Sequence, residues 1–384
     1  MEPERESRDP ANLVLWQSAP EAEITARIAI TGDYAPMLHH AISSEDAWRE
    51  KARRLAPFFR DVNATFVNLE CPLTAPPLPK GTYRAAPPAS LEYLSAIHSN
   101  TIGLANNHSY DCGPHGLERT RKAILKRGMI PLGAGGKLGS HPEVRVWRGP
   151  GQIRVGFWAA TKVSGDPAGA RSARIECANL DRGLYALERM RRHEAHFCIA
   201  LLHTGCARSS RPDPSDVRLM ESLAKWGFDV VAASHSHRVS GVSVVDGYRE
   251  RKSFCFYGLG NLVSSRVMSV AETEGLIVVA GFTSRGELAR MEVRPLSLDE
   301  QGFGEAPPPA VSKTILERFR GLSGEIAEGS YRRLFYRDVA RGLVRHCIRD
   351  QRPAYQASGI GLATGKSKPF RGGKARRFVD KLVG

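Results

Sequence analysis

The 384-residue sequence contains no apolar run of the length needed to cross a bilayer, about 18–20 residues. Its first twelve residues, MEPERESRDPAN, are polar and acidic, and they lack the basic stretch and apolar run of a secretory signal peptide. The seven cysteines are scattered, odd in number and without a CxxC pair, which predicts no disulfide framework and fits a reducing compartment. We therefore expect a protein of the cytoplasm with no transmembrane segment.

Positive charge is abundant but unevenly distributed along the chain. The net charge is +15, and residues 331–384 hold 14 Lys or Arg against 3 Asp, a net charge of +11. Such a tail is either a solvated, mobile segment or an electrostatic patch for an anionic partner, which would be a polymer, a membrane surface or a nucleic acid. No DNA- or RNA-binding motif accompanies the tail, so nucleic acid is the weakest of these three alternatives.

Short apolar runs alternate with amphipathic segments between residues 26 and 300, a pattern typical of α/β proteins. The segment 113–128 has apolar residues at helical spacing and ends in a glycine, so it predicts a helix. Asp213 and Pro214 are typical of the start of a second helix, and Gly227 predicts its end.

The pattern changes after about residue 300, where the proline-rich EAPPPA segment precedes two predicted helices and a stretch with few apolar residues. We accordingly predict a disordered N-terminal segment over 1–25, one domain over 26–300, and a linker, helices and basic tail over 301–384.

Polar side chains that can bind metals follow most of the predicted strands, at the point where each strand ends. Ligands of α/β sheets collect at such ends, and carboxylates together with imidazoles suit divalent manganese, iron or zinc. Two histidines separated by one residue on an extended strand point the same way, so they can hold one metal or two adjacent ones. The strand-end residues are Asp33, Asn68, Glu70, Asn106, Asn107, His108, His203, His235 and His237.

Each of these residues has a plainer explanation when taken singly. An aspartate after a strand is usually a turn residue or a helix cap, and a single buried histidine usually belongs to a hydrogen-bonded core. Their order along the chain, each at a strand end, is what favours a common site.

That order of Gly-Asp, Asn-Leu-Glu, Asn-Asn-His, His-x-Gly and His-x-His resembles the calcineurin-like metallophosphatases, and more closely the CapA family of capsule or poly-γ-glutamate synthesis. The resemblance covers about 27–265, and its most specific parts are LANNHS (104–109) and GLGN (258–261). It implies a four-layer αββα sandwich of metallophosphatase type, followed here by a short helical and basic C-terminal extension. It also implies one or two divalent ions held by Asp33, Glu70, Asn107, His203, His235 and His237.

The resemblance assigns further expectations to the residues around these ligands. His108 matches the histidine that contacts the substrate phosphate and protonates the leaving group, and Asp111 either orients it or caps the turn before the next helix. Arg84 matches a family arginine that would bind an anionic group bidentately. Asn68 and Asn106 either support the ligands or contact the substrate.

Three departures from the metallophosphatase pattern stand out. Asp33 is followed by Tyr34 and not by the x-His that those enzymes carry, so one metal position is expected to be weak or empty. Thr204 stands where the family usually has tryptophan, and Gly-His-Pro-His reads Ser-His-Ser-His over 234–237. These changes predict an altered pocket.

Two classes of function fit these observations. The first is a metal-dependent hydrolase of phosphoesters, or of amide bonds in a γ-glutamyl-type polymer, acting on an anionic small molecule or polymer. The second is a non-catalytic or weakly catalytic factor that binds an anionic polymer during capsule synthesis. A tailoring enzyme that reuses the fold is a third possibility, because fold does not fix function.

Overall fold

The computed structural model describes residues 12–37, 42, 44–74, 85–135, 142–163, 175–265 and 269–340. Its strands are β1 (Leu13–Gln17), β2 (Ile24–Ala35), β3 (Ala64–Leu69), β4 (Ser99–Gly103), β5 (Ile130–Leu132), β6 (Arg145–Arg148), β7 (Arg154–Thr161), β8 (Phe197–Thr204), β9 (Val230–His235), β10 (Val242–Asp246), β11 (Lys252–Phe256), β12 (Asn261–Ser264), β13 (Glu274–Thr283), β14 (Leu288–Leu298) and β15 (Gly304–Glu305). Its α-helices are α1 (Glu45–Ala52), α2 (Ala56–Phe59), α3 (Leu91–Ala96), α4 (Gly113–Lys126), α5 (Leu180–Arg192), α6 (Pro214–Trp226), α7 (Pro309–Ala327) and α8 (Tyr331–Ala340).

The strands form two sheets, each with a run of neighbouring parallel strands. The first sheet has the order β1-β14-β13-β2-β3-β4-β5, with β12 beside β2 and β15 beside β14. The second has the order β10-β11-β9-β8-β7-β6, in which β7, β8, β9 and β11 are parallel. Parallel neighbours place their carboxyl ends at one edge, which is where the sequence concentrates its polar residues.

The two sheets pack face to face through apolar side chains. Phe66 of the first sheet meets Phe157 of the second edge to face, with ring centroids 5.1 Å apart. The outer face of the second sheet packs against α5 and α6, where Trp158 and Met220 belong to a separate buried cluster. On the outer face of the first sheet, Trp48 of α1 packs against Phe303. Helix, sheet, sheet and helix therefore form the four-layer αββα sandwich that the sequence predicted.

Both helix predictions are confirmed, and their caps have the expected geometry. The predicted helix over 113–128 is α4. The side chain of Asp213 accepts a hydrogen bond from the backbone nitrogen of Ser215 at 2.7 Å at the start of α6. Gly227 follows that helix with φ of 130°, a left-handed conformation that glycine adopts without strain.

The N-terminal segment is more ordered than we expected. Residues 1–25 were predicted to be disordered, but β1 pairs antiparallel with β14, with Leu13 opposite Val293. Leu13 and Leu15 also pack against the main core. The LVLW run is short and lies between polar segments, so its composition does not indicate a strand. Pairing with β14 stabilises it as one. Residues 1–11 lie outside the described part of the chain.

The two helices after residue 300 join the same core. Ile315 and Phe319 of α7 are buried in the main cluster. Arg211, in the loop before α6, donates to Glu325 at 2.7 Å and to Asp338 of α8 at 2.8 Å. The helices therefore support the sandwich, while the basic stretch from residue 341 onward lies outside the described residues.

The cysteines depart from expectation at one position. Cys71, Cys112, Cys177, Cys198 and Cys255 form no disulfide, as predicted. Cys206, however, is disulfide-bonded. Tertiary folding brings cysteines together regardless of their separation in sequence, so the absence of a CxxC pair does not exclude such a bond. Among the described residues, no helix combines the length and hydropathy needed to traverse a bilayer.

Gly32 makes a very close backbone contact near the polar strand ends. Substitution of Gly32 therefore tests the fold. A Cβ atom on Gly32 would overlap the carbonyl oxygen of Gly260, which also accepts a hydrogen bond from the backbone nitrogen of Asp33 at 3.1 Å. We expect Gly32→Ala to lower the free energy of unfolding by about 3 kcal/mol, since backbone must move to admit the methyl group. Denaturant titration measures this change.

Gly321→Ala is the matched control, because Gly321 lies on an exposed part of α7 and a Cβ there meets no atom within 4 Å. Helix propensity predicts that this variant gains about 0.5–1 kcal/mol. Equal stability of the two variants would contradict the close approach of β2 and the segment before β12.

Candidate metal centre

The polar strand ends of both sheets meet at one edge of the sandwich. Asp33 lies near the end of β2, opposite Asn68 of β3, and Glu70 follows β3 directly. His203 near the end of β8 and His235 at the end of β9 approach from the second sheet. The parallel pairing within each sheet and the packing of the two sheets therefore bring together residues that are up to 202 positions apart in the sequence.

One group of side chains converges on His203. Its Nε2 lies 2.8 Å from Asn107 Oδ1, 3.0 Å from His235 Nδ1 and 3.4 Å from Glu70 Oε1. Glu70, His203 and His235 are all buried, and one ligand atom from each lies within 4.8 Å of the others. This group contains two imidazoles, a carboxylate and a carboxamide oxygen.

A second group lies beside the first and shares Glu70 with it. His237 Nδ1 is 3.4 Å from Asp33 Oδ2 and 3.7 Å from Glu70 Oε2. The two oxygens of Glu70 thus face different groups, Oε1 towards His203 and Oε2 towards His237. Glu70 is 1% exposed, and neither of its oxygens has a hydrogen-bond partner among the described residues.

These spacings fit metal ligation. Ligands held about 2.0–2.2 Å from an ion lie roughly 3–3.6 Å from one another, which matches most of the separations around His203 and between His237 and Asp33. A buried carboxylate without hydrogen bonds is costly unless a cation compensates it. The two groups together therefore have the composition and spacing of adjacent sites for divalent ions.

The charges within the centre are strongly coupled. Burial raises the pKa of Asp33, but a hydrogen bond from His237 and the nearby His203 outweigh it and hold that pKa well below its usual value. Burial lowers the pKa of His237, yet Glu70 and Asp33 raise it to about 10. Burial and the neighbouring histidines keep the pKa of His235 well below 6.5.

Asn68 and Asn106 support the ligands and do not reach the surface. Asn68 Nδ2 donates to Asp33 Oδ1 at 2.7 Å and lies 3.2 Å from His203 Nδ1. Asn106 Nδ2 donates to Asn68 Oδ1 at 3.1 Å, and its own Oδ1 accepts from the backbone nitrogen of His108. The two asparagines are 2% and 0% exposed, so of the two roles expected for them, the geometry favours support over substrate contact.

His108 lies at the outer side of the first group, where it is 12% exposed. Its Nδ1 is 2.9 Å from Asp111 Oδ2, and its Nε2 is 3.9 Å from Glu70 Oε1. The carboxylate can only accept, so Nδ1 carries the proton in this contact. Of the two roles expected for Asp111, the structure favours orientation of His108.

His235 and His237 do not behave as a pair on an extended strand. Their φ angles are 104° and 57°, and β9 ends at His235. The backbone therefore turns between them and sends one ring to each group, with centroids 6.3 Å apart. The expectation that both rings point the same way was wrong, because the alternation of strands does not apply in left-handed backbone.

Asn261 is a residue of the centre that the sequence argument missed. Its Oδ1 lies 3.0 Å from His237 Nδ1, and its Nδ2 donates to the carbonyl oxygen of Glu272 at 2.9 Å. It begins β12 directly after Gly260 of the GLGN segment, and its place at the junction of a turn and a strand was the signal in the sequence. Arg84, expected to bind an anion, lies outside the described residues.

The residues that depart from the metallophosphatase pattern make contacts of their own. The Tyr34 hydroxyl is buried and donates to the carbonyl oxygen of Ser90 at 2.6 Å, away from the metal centre. Thr204 Oγ1 donates to Asp216 at 2.9 Å. Neither Tyr34 nor Thr204 belongs to the two groups of candidate ligands.

The opposite pKa shifts of His237 and His235 predict a stability maximum for the metal-free protein near pH 6.5. Protonated His237 contributes its full stabilisation below pH 6.5, the pKa of this residue in the unfolded state. This stabilisation is lost as the pH rises towards 10. His235 stays neutral when folded, so stability also falls below pH 6.5, where the unfolded ring takes up a proton. Denaturant titration of chelated protein from pH 5 to 10 measures both slopes.

The variant His237→Ala should flatten the alkaline slope and leave the acidic one. An alkaline slope that is the same in this variant as in the unmodified protein would contradict the placement of His237 between two carboxylates.

Comparisons with known proteins bear on the family of the chain. The model of the bacterial capsule synthesis protein PGA_cap matches residues 27–266. Among solved structures, the chain is similar to a 5'-nucleotidase precursor from Thermus thermophilus, with 13% identity and a TM-score of 0.47. That similarity covers 77% of this chain and 58% of the nucleotidase precursor, so the chain spans less than two thirds of its length. Curated protein sequences gave no match. Because the family match extends over more than half of the 384 residues, the chain belongs to the PGA_cap family of bacterial capsule synthesis proteins.

Proposed function

We propose that the protein is a metal-dependent hydrolase of phosphoester or γ-glutamyl-type amide bonds. The observation that carries this proposal is the pair of buried donor groups that share Glu70. Asp33, Glu70 and His237 would hold one divalent ion, and Glu70, Asn107, His203 and His235 a second. Mixed carboxylate, imidazole and carboxamide donors suit manganese, iron or zinc.

The chemistry needs an activated water and a polarised electrophile. A bound divalent ion supplies both, as a Lewis acid that polarises a phosphoryl or carbonyl oxygen and makes water reactive near neutral pH. The protein contributes position: Asn68 holds Asp33 at 2.7 Å, and Asn261 holds His237 at 3.0 Å. Such supporting residues typically alter metal affinity by about 10–100-fold when removed.

His108 is the proposed proton donor to the leaving group. Asp111 accepts from its Nδ1 at 2.9 Å, and Nε2 lies 3.1 Å from Asn107 Nδ2. Nε2 would take up the proton that the attacking water releases and pass it to the leaving group. A general acid at such a position contributes about 10²–10⁴-fold to the rate. Both phosphoester and amide hydrolysis need a protonated leaving group, so this residue serves either reaction.

The family description concerns capsule synthesis, which makes an anionic polymer a reasonable substrate class for this chain. A γ-glutamyl amide and a phosphoester both place an oxygen beside the bond that breaks, and both carry negative charge. The geometry of the metal centre serves either bond.

Substitution of the shared and unshared ligands provides the test. Elemental analysis of the unmodified protein should find close to two divalent ions per chain. Glu70→Gln should lose both, since its oxygens face both groups, whereas His235→Ala should lose one. Hydrolysis of phosphoesters or γ-glutamyl amides should fall by at least about 10²-fold in each variant.

His193→Ala is the matched control, because His193 is exposed and follows α5. It should keep its metal and its activity. An unmodified protein without metal after reconstitution with manganese or zinc, or activity that survives in Glu70→Gln, would rule out the hydrolase.

A second candidate function is a polymer-binding factor with little or no catalysis. It is favoured by Ala35, which stands where metallophosphatases carry a histidine and is buried without a donor group. The net charge of +11 over 331–384 would then bind the polymer.

Truncation after Gly365 separates the two candidates. This point keeps every cysteine of the chain and all of α8, whose Tyr331 and Phe335 are buried, and it removes seven Lys or Arg residues. Under the polymer-binding function, the truncation should weaken binding of a γ-linked polyglutamate by at least about tenfold, because it removes several positively charged side chains. Under the hydrolase function, turnover of a small substrate should stay unchanged. Co-sedimentation and a chromogenic assay measure the two outcomes.

A further inference from the structure

Two arginines lie on the loops that carry the histidines of the metal centre. Arg208 follows β8, five residues after His203, and Arg238 is the neighbour of His237. The backbone nitrogen of Arg208 donates to the carbonyl oxygen of Ser236 at 2.8 Å, which ties the two loops together. Both guanidinium groups are therefore held at the same edge of the sandwich as the metal ligands.

The two guanidinium groups share a single carboxylate oxygen. Glu272 Oε1 lies 3.6 Å from Arg208 Nε and 3.8 Å from Arg238 Nη2, beyond hydrogen-bond distance in both cases. The same oxygen accepts from Ser269 Oγ at 3.2 Å. Glu272 is 3% exposed, whereas the arginine side chains are 25% and 26% exposed, so solvent reaches the cations but not their counter-ion.

Most of the donors on these arginines are unused. A guanidinium carries five N–H donors. Within the described residues, Arg238 makes one side-chain hydrogen bond, from Nη2 to Ser269 at 3.2 Å, and its buried Nε has no partner. The side chain of Arg208 makes none there. An anion with two or more oxygens would satisfy several of these donors at once.

Positive charge also exceeds negative charge around the pair. Arg318 forms an ion pair with Glu274 beside them. Burial lowers the pKa of Arg238, Glu272 opposes this, and the nearby Arg208 and Arg318 lower it further. Among the described residues, three guanidinium groups thus face two carboxylates, an excess that an incoming anion would relieve.

The arginines are linked to the metal centre through two side chains. Glu272 accepts at its backbone oxygen from Asn261 Nδ2 at 2.9 Å, and Asn261 Oδ1 lies 3.0 Å from His237 Nδ1. The arginines and the candidate metal ligands therefore belong to neighbouring parts of one hydrogen-bonded edge.

We propose that Arg208 and Arg238 form a subsite for a second oxyanion of the substrate, one that does not take part in the bond cleavage. This inference rests on the proposed hydrolase function and specifies its substrate as a molecule with two or more anionic groups. In a γ-glutamyl chain the second oxyanion is the free α-carboxylate of a neighbouring unit. In a phosphoester substrate it is a further phosphate or carboxylate. Glu272 acts as the internal counter-ion with which the substrate competes.

Calorimetric titration with two probes tests the subsite and its chemistry. The probes are a γ-linked glutamyl tetramer, which offers carboxylates, and inorganic phosphate. Arg208→Ala and Arg238→Ala should each weaken binding of the preferred probe by about tenfold, as expected for the loss of a charged hydrogen-bonding partner. Preference for the tetramer would assign a polycarboxylate substrate, and preference for phosphate would assign a phosphorylated one.

Glu272→Gln should change the affinity for the probe in the opposite direction. It keeps the backbone contact to Asn261 but removes the competing charge, so it should tighten binding of the same probe several-fold. A merely structural role of Glu272 predicts weaker binding instead. If Arg238→Ala fails to fold, Arg238→Gln retains the stem and tests the same donors. Arg53→Ala is the matched control, since Arg53 is 75% exposed and pairs only with Glu50 among the described residues.

Repetition of the titration in a His235→Ala background separates this inference from the hydrolase proposal. The effect of the arginine substitutions should persist there even though the metal centre is damaged. The subsite is overturned if the unmodified protein binds neither probe. It is also overturned if the arginine variants bind as tightly as the unmodified protein or no more weakly than Arg53→Ala, or if Glu272→Gln weakens binding.

Discussion

The structure depends on how two buried carboxylates, Asp33 and Glu70, are compensated between the sheets. Removal of such groups from water costs several kcal/mol each unless cations and hydrogen bonds replace the solvent. Asp33 is compensated by Asn68, by the backbone nitrogen of His235 at 2.9 Å and by His237. Glu70 has only imidazoles at 3.4–3.9 Å and no hydrogen bond among the described residues. Within the described part of the chain, the fold thus leaves the carboxylate of Glu70 without a hydrogen bond.

Compensation of this kind requires a rigid frame, and the strand ends supply it. The first sheet contributes the carboxylates, the second contributes His203 and His235, and the glycines at positions 32 and 260 let β2 and the segment before β12 touch. An error of one residue in either register would separate the groups, because side chains alternate along a strand. The packing of the sheets and the geometry of the candidate metal centre therefore depend on the same strand registers.

The two helices and the approach of the polar strand ends were predicted from the residues, because periodicity and strand-end chemistry are local signals, whereas the four-layer sandwich was expected from the family resemblance. The sequence did not predict that His235 and His237 would serve different groups, since that follows from left-handed backbone at both residues. The strand Leu13–Gln17 was also missed, as its stability comes from β14, far away in the sequence. Asn261 was missed for a similar reason, because its contact with His237 depends on how the loops fold.

The loops after β8 and β9 couple the metal centre to its surroundings. Asn261 contacts His237 with one end of its carboxamide and the backbone of Glu272 with the other, and Glu272 is shared by two arginines. A shift of any member would change the hydrogen bonds of the next, so the anion binding proposed at the arginines and the metal binding proposed at His237 would influence each other. Coupling of this kind is reciprocal by thermodynamic necessity. On these two proposals, a substrate with two anionic groups would strengthen the binding of the ion near His237, whereas a substrate with one would not.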